Sequence, residues 1–468
     1  MRCLIPLLCV VALGADWNRF RGPNGSGVSE STGLPAEFGP KQNLIWKTAL
    51  PSGHSSPVVA GDRIFLTAYE GESLFTFALD RSTGKILWRR AAPRTRIGKF
   101  DARNSPASPS PVSDGSNVWV FFADYGLVSY GIDGNERWRL PLGPFDNMYG
   151  MGASPVLAGN QIVLVCDQTI GSFIVAVGKD DGRERWRKPR PEALSGHSTP
   201  VLFQPKGGGV QIIAPSSFRM DAYAAETGDI VWFVHGLASE MKSVPVIDGD
   251  TILISGYNMP ENDPGRQVAL PPFADVIAKN DGDKDGRLSK DEIPDDRTKV
   301  FFPYLDLNHD GFLDEEEWNM YRLVLSAENG LLAIRPGNGH GDLTRSAIRW
   351  AYRKAIPQLP SVVLYRGVLY MINDSGVLTT LDPSTGAVLK QARLRQAADK
   401  FFASPVAADG KIYFISLNGT VTVLEAGAGQ KVLATSELED EAYATPAIAD
   451  GRIYIRTRGA LWCFGKTG

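Results

Sequence analysis

The 468-residue chain has no stretch of about 18 uninterrupted apolar residues, so no membrane-spanning helix is expected. Nor is there a basic excess: 49 Lys and Arg face 52 Asp and Glu, and nucleic acid is not a favoured partner. Cysteine is scarce, with four residues of which two, Cys3 and Cys9, lie in the first nine positions. Met1-Arg2, then an apolar run from Cys3 to Leu13, then Gly14-Ala15, read as a secretory signal peptide over residues 1–15. Bulky Leu8 precedes Cys9 where lipid attachment needs a small residue, so an unlipidated periplasmic or secreted protein is expected.

What the chain has in abundance is repetition. The eleven-residue unit Ala78 to Trp88 has Gly84 in seventh place, and it recurs at Ala176 to Trp186 with Gly182 and at Ala222 to Trp232 with Gly228. Weaker copies run from Thr380 to Lys390 with Gly386 and from Val423 to Leu433 with Gly429. Asp and Thr favour turns and Gly permits positive φ, so each unit predicts a strand end, a turn and the next strand. Ahead of each copy stands a Ser/Thr-Pro-Val-like marker, at Pro57, Pro111, Pro155, Pro200, Pro245, Pro360, Pro405 and Pro446.

A period of about 45 residues with several short strands is that of a propeller blade, so the fold expected is an all-β, eight-bladed propeller of four-stranded blades. The last repeat runs out after Leu461 to Phe464, and Asn43 to Lys47 carries the missing apolar-Trp-basic strand. An N-terminal strand therefore closes the eighth blade and removes a sheet edge. Cys166 and Cys463 then fall in the third and eighth blades as separate buried thiols. The Gly- and Pro-rich segment 16–42 is expected to lie extended across the ring, anchored by Trp17, Phe20 and Phe38. The first repeat is long by about ten residues, which gives an inter-blade loop bearing Arg94, Arg96, Lys99 and Arg103.

The fifth repeat is longer than its neighbours by about 70 residues and carries the most specific motif in the chain. Two twelve-residue EF-hand loops occupy Asp281 to Glu292 and Asp306 to Glu317 within an insertion assigned to residues 258–326. Propeller is assigned on either side, over 43–257 and 327–468. The first loop would hold calcium with Asp281, Asp283, Asp285, the carbonyl of Arg287, and Glu292. The second would use Asp306, Asn308, Asp310, the carbonyl of Phe312, and Glu317. Alternating carboxylates converge on a hard cation, and the twelfth-place Glu clamps it with both oxygens. Leu288 and Leu313 are expected to pair between the loops. Only 13 residues separate the loops and Pro303 interrupts them, so a short shared helix and a structural clamp are expected.

Residues three before each marker proline should ring the mouth of the central channel: His54, Ser108, Gly152, His197, Lys242, Pro357, Phe402 and Tyr443. Glu240 and Glu441 stand two residues further back in their repeats. His54, His197, Lys242, Glu240 and Tyr443 are thus candidates for a small polar ligand site. The two histidines lie three blades apart and are not expected to share a metal.

The Ala78 to Trp88 unit and its copies resemble the tryptophan-docking repeats of the pyrroloquinoline quinone (PQQ) propeller superfamily, from about Asn43 to Phe464 outside the insertion. Asp16-Trp17-Asn18-Arg19-Phe20-Arg21-Gly22-Pro23 is similar to the opening of exported bacterial members. The superfamily includes quinoprotein alcohol dehydrogenases and non-catalytic BamB-type assembly lipoproteins, so the resemblance alone does not choose a function. The adjacent cysteine pair typical of the dehydrogenases is absent, and no catalytic residue carries over. The lipid-attachment cysteine of the BamB type is missing as well. The reading is an exported, non-catalytic calcium-binding propeller that engages a protein, peptide or glycan on one face. Its alternative is a PQQ-dependent oxidoreductase acting on an alcohol or sugar.

Overall fold

Each marker tripeptide opens a short innermost strand, because the proline fixes an extended entry and the β-branched residues after it pair along a buried edge. In the first blade this strand is Val58–Ala60, followed outward by Arg63–Glu70, Ser73–Asp80 and Ile86–Pro93. A computed structural model describes residues 17–94, 98, 100–394 and 399–466. Within them eight such antiparallel sheets form the eight-bladed propeller that the repeats predict. The signal-peptide assignment, and Arg96 and Lys99 of the basic loop, lie outside the described residues. Cys166 and Cys463 are buried free thiols.

The ring closes as expected. Leu44–Ala49 pairs antiparallel with Ala460–Gly465, the third strand of the eighth blade, with Lys47 opposite Trp462 and its ammonium 3.8 Å from that ring. In the fifth blade, Thr251–Gly256 pairs with Gly330–Ile334, so the intervening chain is an insertion between neighbouring strands.

The recurring glycines have a second purpose besides positive φ. A Cβ on Gly84 would come within 2.5 Å of the Trp46 ring, on Gly182 within 2.5 Å of Trp138, and on Gly228 within 2.5 Å of Trp186. Each indole thus lies on the turn glycine of the next blade and donates its N–H there. Trp88 Nε1 reaches Ile132 O at 2.9 Å beside Gly134, and Trp350 Nε1 reaches Pro383 O at 3.1 Å beside Gly386. The sixth blade has Lys390 where a Trp would stand, and the register there corrects the Gly429 assignment. Positive φ falls on Gln430, and its side chain donates to Leu378 O and Lys390 O, filling the space an indole would take.

Around the axis, hydroxyls beside the marker prolines accept from backbone amides of the preceding blade and link blades in two arcs. Ser56 N donates to Ser110 Oγ, Ser110 N to Ser154 Oγ, and Ser154 N to Thr199 Oγ1, all at 2.9 Å. A second arc runs from Val244 N to Ser361 Oγ, Ser361 N to Ser404 Oγ, and Ser404 N to Thr445 Oγ1. In the sixth blade the position is held by Ser361, one residue after the marker proline. The ring member there is therefore Leu359, not Pro357.

The segment from Trp17 to Val28 runs across one end of the channel. Val59 N donates to Trp17 O, Ser113 N to Asn18 O, and Ala407 N to Gly27 O, so it spans blades one, two and seven. Arg19 and Arg21 are buried on carbonyls of the fourth and sixth blades, Pro200 O at 2.6 Å and Val362 O at 2.7 Å. Burial pulls the two guanidinium pKa values down to about 10 and about 9.

Replacing Gly134 by Ala should cost roughly 2 kcal/mol or more, from positive φ together with collision at 2.8 Å with Trp88. Gly61→Ala, at φ 57 in open space, should cost about 1 kcal/mol. Denaturant midpoints compare the two, and equal losses would refute the docking account.

Candidate functional site

Blade loops on the face that bears the channel mouth also carry the insertion. Its two crossing points are tied together by two asparagines. Asn262 Nδ2 donates to Val324 O and Ala327 O, while Asn329 Nδ2 donates to Met259 O and Asp263 Oδ1, all between 2.8 and 2.9 Å. The module consists of α1 (Phe273–Asn280), α2 (Asp296–Leu305) and α3 (Glu315–Ser326) around a small core with Trp318 fully buried. As expected, α2 contains Pro303 and is shared by the loops, and Leu288 pairs with Leu313.

Both loops take the same shape for the same reason. The fourth position has positive φ at Lys284 and His309, the sixth at Gly286 and Gly311, which turns the backbone amides inward. Asp281 accepts from Lys284 N and Gly286 N, as Asp306 does from Asp310 N and Gly311 N. Glu292 accepts from Gly282 N and Ser289 N, while Glu317 accepts from Leu307 N and Asp314 N. Ligand oxygens of Asp281, Asp283 and Asp285 lie within 4.8 Å of one another, a donor set that suits a hard divalent cation. Arg287 ties the loops together, reaching Asp285 at 3.1 Å and Asp310 at 3.3 Å while lying over Phe312. Hydrogen bonds from Ser289 hold Glu292 below the ordinary carboxylate pKa, whereas burial raises that of Glu317.

At the channel mouth, His54, Lys242 and Tyr443 share a space of about 100 Å³ with Leu359 and Phe402, and Phe20 of the crossing segment is at its base. His54 stacks on Tyr443 with ring centroids 4.0 Å apart. Glu240 joins by pairing with Lys242 at 2.5 Å and by accepting from Tyr149 OH at 3.0 Å. His197 stands off this space, beside Gly152 and Tyr149. Glu441 pairs with Arg458, Arg103 with Asp101, and Arg94 with Asp124. Tyr149 and Asp101 escaped sequence reasoning because they lie in irregular loops that no repeat position indexes. Asp374 also escaped it; burial raises its carboxyl to about 6 beside an open polar depression that also includes Arg103 and Lys400.

A cavity of about 320 Å³ lies between α2, α3 and the propeller loops, lined on one side by Phe301, Met320 and Val324 and on the other by Met148 and Leu194. No periodicity in the sequence pointed to it, since its walls come from two separately folded elements.

His54 and His197 both titrate near 4. Burial disfavours the imidazolium, and Arg456 beside His54 and Lys242 beside His197 add positive charge. Protons bind the unfolded imidazoles below about 6.5 but the folded ones only near 4, so stability present above pH 6.5 is lost as pH falls toward 4. His54→Gln and His197→Gln should each flatten the decline of the unfolding midpoint across that window; an unchanged slope would remove this linkage.

The family model described as Outer membrane protein assembly factor BamB matches residues 40–168, 78–260 and 321–467, and one described as EF hand matches 299–321. The outer membrane protein assembly factor BamB of Alkalilimnicola ehrlichii is 26% identical over 220 residues, 47% of this chain and 51% of that protein. The chain thus spans about half that relative's length. BamB of Yersinia pestis is 22% identical over 405 residues, 82% of this chain and 88% of that protein. Among solved structures, a europium-containing methanol dehydrogenase superposes with a TM-score of 0.64 at 8% identity, covering 97% of this chain and 98% of that one, which is a likeness of fold. With family matches on both sides of the inserted module, the chain belongs to the family described as Outer membrane protein assembly factor BamB.

Proposed function

We propose that this chain is an exported, non-catalytic propeller scaffold whose EF-hand loops hold calcium and whose module-bearing face engages a protein, peptide or glycan. The observation that carries this reading is the internal pairing of the acids and bases at the mouth. Glu240 is held by Lys242 and Tyr149, Asp101 by Arg103, and His54 by its stack on Tyr443. A general base needs a free lone pair within hydrogen-bond reach of substrate; the two carboxylates engage theirs on Lys242, Tyr149 and Arg103, and His54 has one ring face covered by Tyr443. Export, to the periplasm or beyond, is supported by the apolar leader sequence and by relatives described as outer membrane assembly factors.

A fused-ring quinone such as PQQ does not fit the mouth. Ligand pockets run from about 300 Å³ upward, against about 100 Å³ here. Calcium does fit the loops: Asp281, Asp283, Asp285, Glu292 and the Arg287 carbonyl would hold one ion. Asp306, Asn308, Asp310, Glu317 and the Phe312 carbonyl would hold the other. The ions would neutralise crowded carboxylates and tie α1, α2 and α3 into one clamp.

Titration calorimetry of the protein lacking residues 1–15 tests both parts. Calcium should bind weakly, with Kd of about 10⁻⁴ to 10⁻³ M, and PQQ should give no heat. Glu292→Gln with Glu317→Gln should weaken calcium at least about tenfold while the β-sheet circular dichroism stays intact. Stoichiometric PQQ binding, or dye reduction with an alcohol, would restore the oxidoreductase.

A further inference from the structure

We propose that the cavity of about 320 Å³ between the module and the propeller is a binding site for a small amphipathic molecule, an apolar body with one hydrogen-bonding group, and that calcium in the second loop favours its binding. The calcium part rests on the function proposed above.

Size and wall chemistry set the apolar body. An apolar cavity of about 150 Å³ holds one benzene, so this space suits a body of about two fused rings. Methionines stand on both walls, Met148 from the propeller and Met320 from α3, and their unbranched side chains adapt to irregular apolar shapes.

The wall's polar groups set the head group. Charges at the rim are matched internally, Asp101 by Arg103 and Glu240 by Lys242, so a charged ligand gains little. Ser195 is engaged too, its Oγ accepting from Met148 N at 3.0 Å. Ser239 differs on the propeller wall: it is 1% exposed, it lines the cavity, and its Oγ is buried without a hydrogen-bond partner, as is the Tyr321 hydroxyl on the α3 wall. A buried hydroxyl left unsatisfied is costly, and one hydroxyl or carbonyl on a ligand would satisfy it.

The link to calcium is a shared residue. Glu317, the twelfth-position ligand of the second loop, is itself part of the cavity wall, and its Oε1 accepts from the amide of Leu307, another wall residue, at 2.8 Å. An ion that fixes Glu317 therefore fixes both the end of α2 and the start of α3, the walls the ligand meets. Binding at one site then favours binding at the other, and the coupling is reciprocal.

The full chain is titrated with 1-naphthol, a two-ring body with one hydroxyl, in calcium and in chelator, with calcium heats measured separately. One-to-one binding is expected, at least about tenfold weaker in chelator. Met320→Trp and Leu194→Trp, which fill the space from opposite walls, should each abolish it while circular dichroism stays native. Ser239→Ala should weaken it about threefold to tenfold, the worth of one hydrogen bond. Calcium heat without saturable naphthol binding overturns this inference and leaves the calcium reading standing. Naphthol binding that is unchanged in both filled variants overturns the site. Absence of calcium heat overturns the calcium reading, and naphthol binding that persists then overturns the coupling alone.

Discussion

Five of the eight blades are locked to the next by one contact, an indole lying flat on a turn glycine and donating its N–H to a carbonyl of that same turn. The contact joins the outer strand of one blade to the third and fourth strands of the next, far from the axis, where sheets splay and would otherwise expose their faces. Hydroxyl-to-amide bonds do the same near the axis. At four seams, those between blades one and two, two and three, three and four, and five and six, both ties are present, and two ties at different radii fix the angle between neighbouring sheets. Where the indole is lost, at Lys390, the glycine is lost with it, and Gln430 occupies both the conformation and the volume.

A ring held this way tolerates insertions between strands better than changes at the ties. The insertion in the fifth blade leaves the pairing of Thr251–Gly256 with Gly330–Ile334 unbroken because Asn262 and Asn329 satisfy the backbone at both crossing points. The same blade also sends Gly341–Asp342 back to pair in parallel with Ile230–His235, covering Trp232, which has no turn glycine to lie on and bonds Gln211 instead. Novelty is thus concentrated on one face and one sector, while the ties remain those of the repeat.

The repeats made the blade number, the closing strand and the insertion point legible, because each rests on local chemistry: a proline entry, a positive-φ turn, an apolar alternation. The EF-hand loops were legible for the same reason, since twelve consecutive residues contain both the turn glycine and every candidate donor. The glycine's second purpose was not legible, because its partner indole lies a full repeat earlier in the chain. Pro357 was misplaced because a proline was used as the register mark when the shared feature is a hydroxyl, which the sixth blade keeps at Ser361 while shifting the proline by one. The cavity was invisible because Met148, Leu194, Met320 and Val324 come from segments with no common period.

Buried arginines govern the chemistry available at the mouth. Arg19, Arg21 and Arg456 are each nearly inaccessible and are hydrogen-bonded to carbonyl oxygens, Arg456 to Pro51 O at 2.8 Å. Carbonyl dipoles stabilise a guanidinium but do not cancel its charge, so the channel keeps a positive field. Burial, with the charges of Arg456 and Arg458, holds the His54 imidazole neutral at physiological pH. Lys242 beside it pairs with Glu240. Arg456 closes the second strand of the eighth blade and Arg458 follows it, so the blade's own loop, not the crossing segment, sets the protonation of the ring at the mouth.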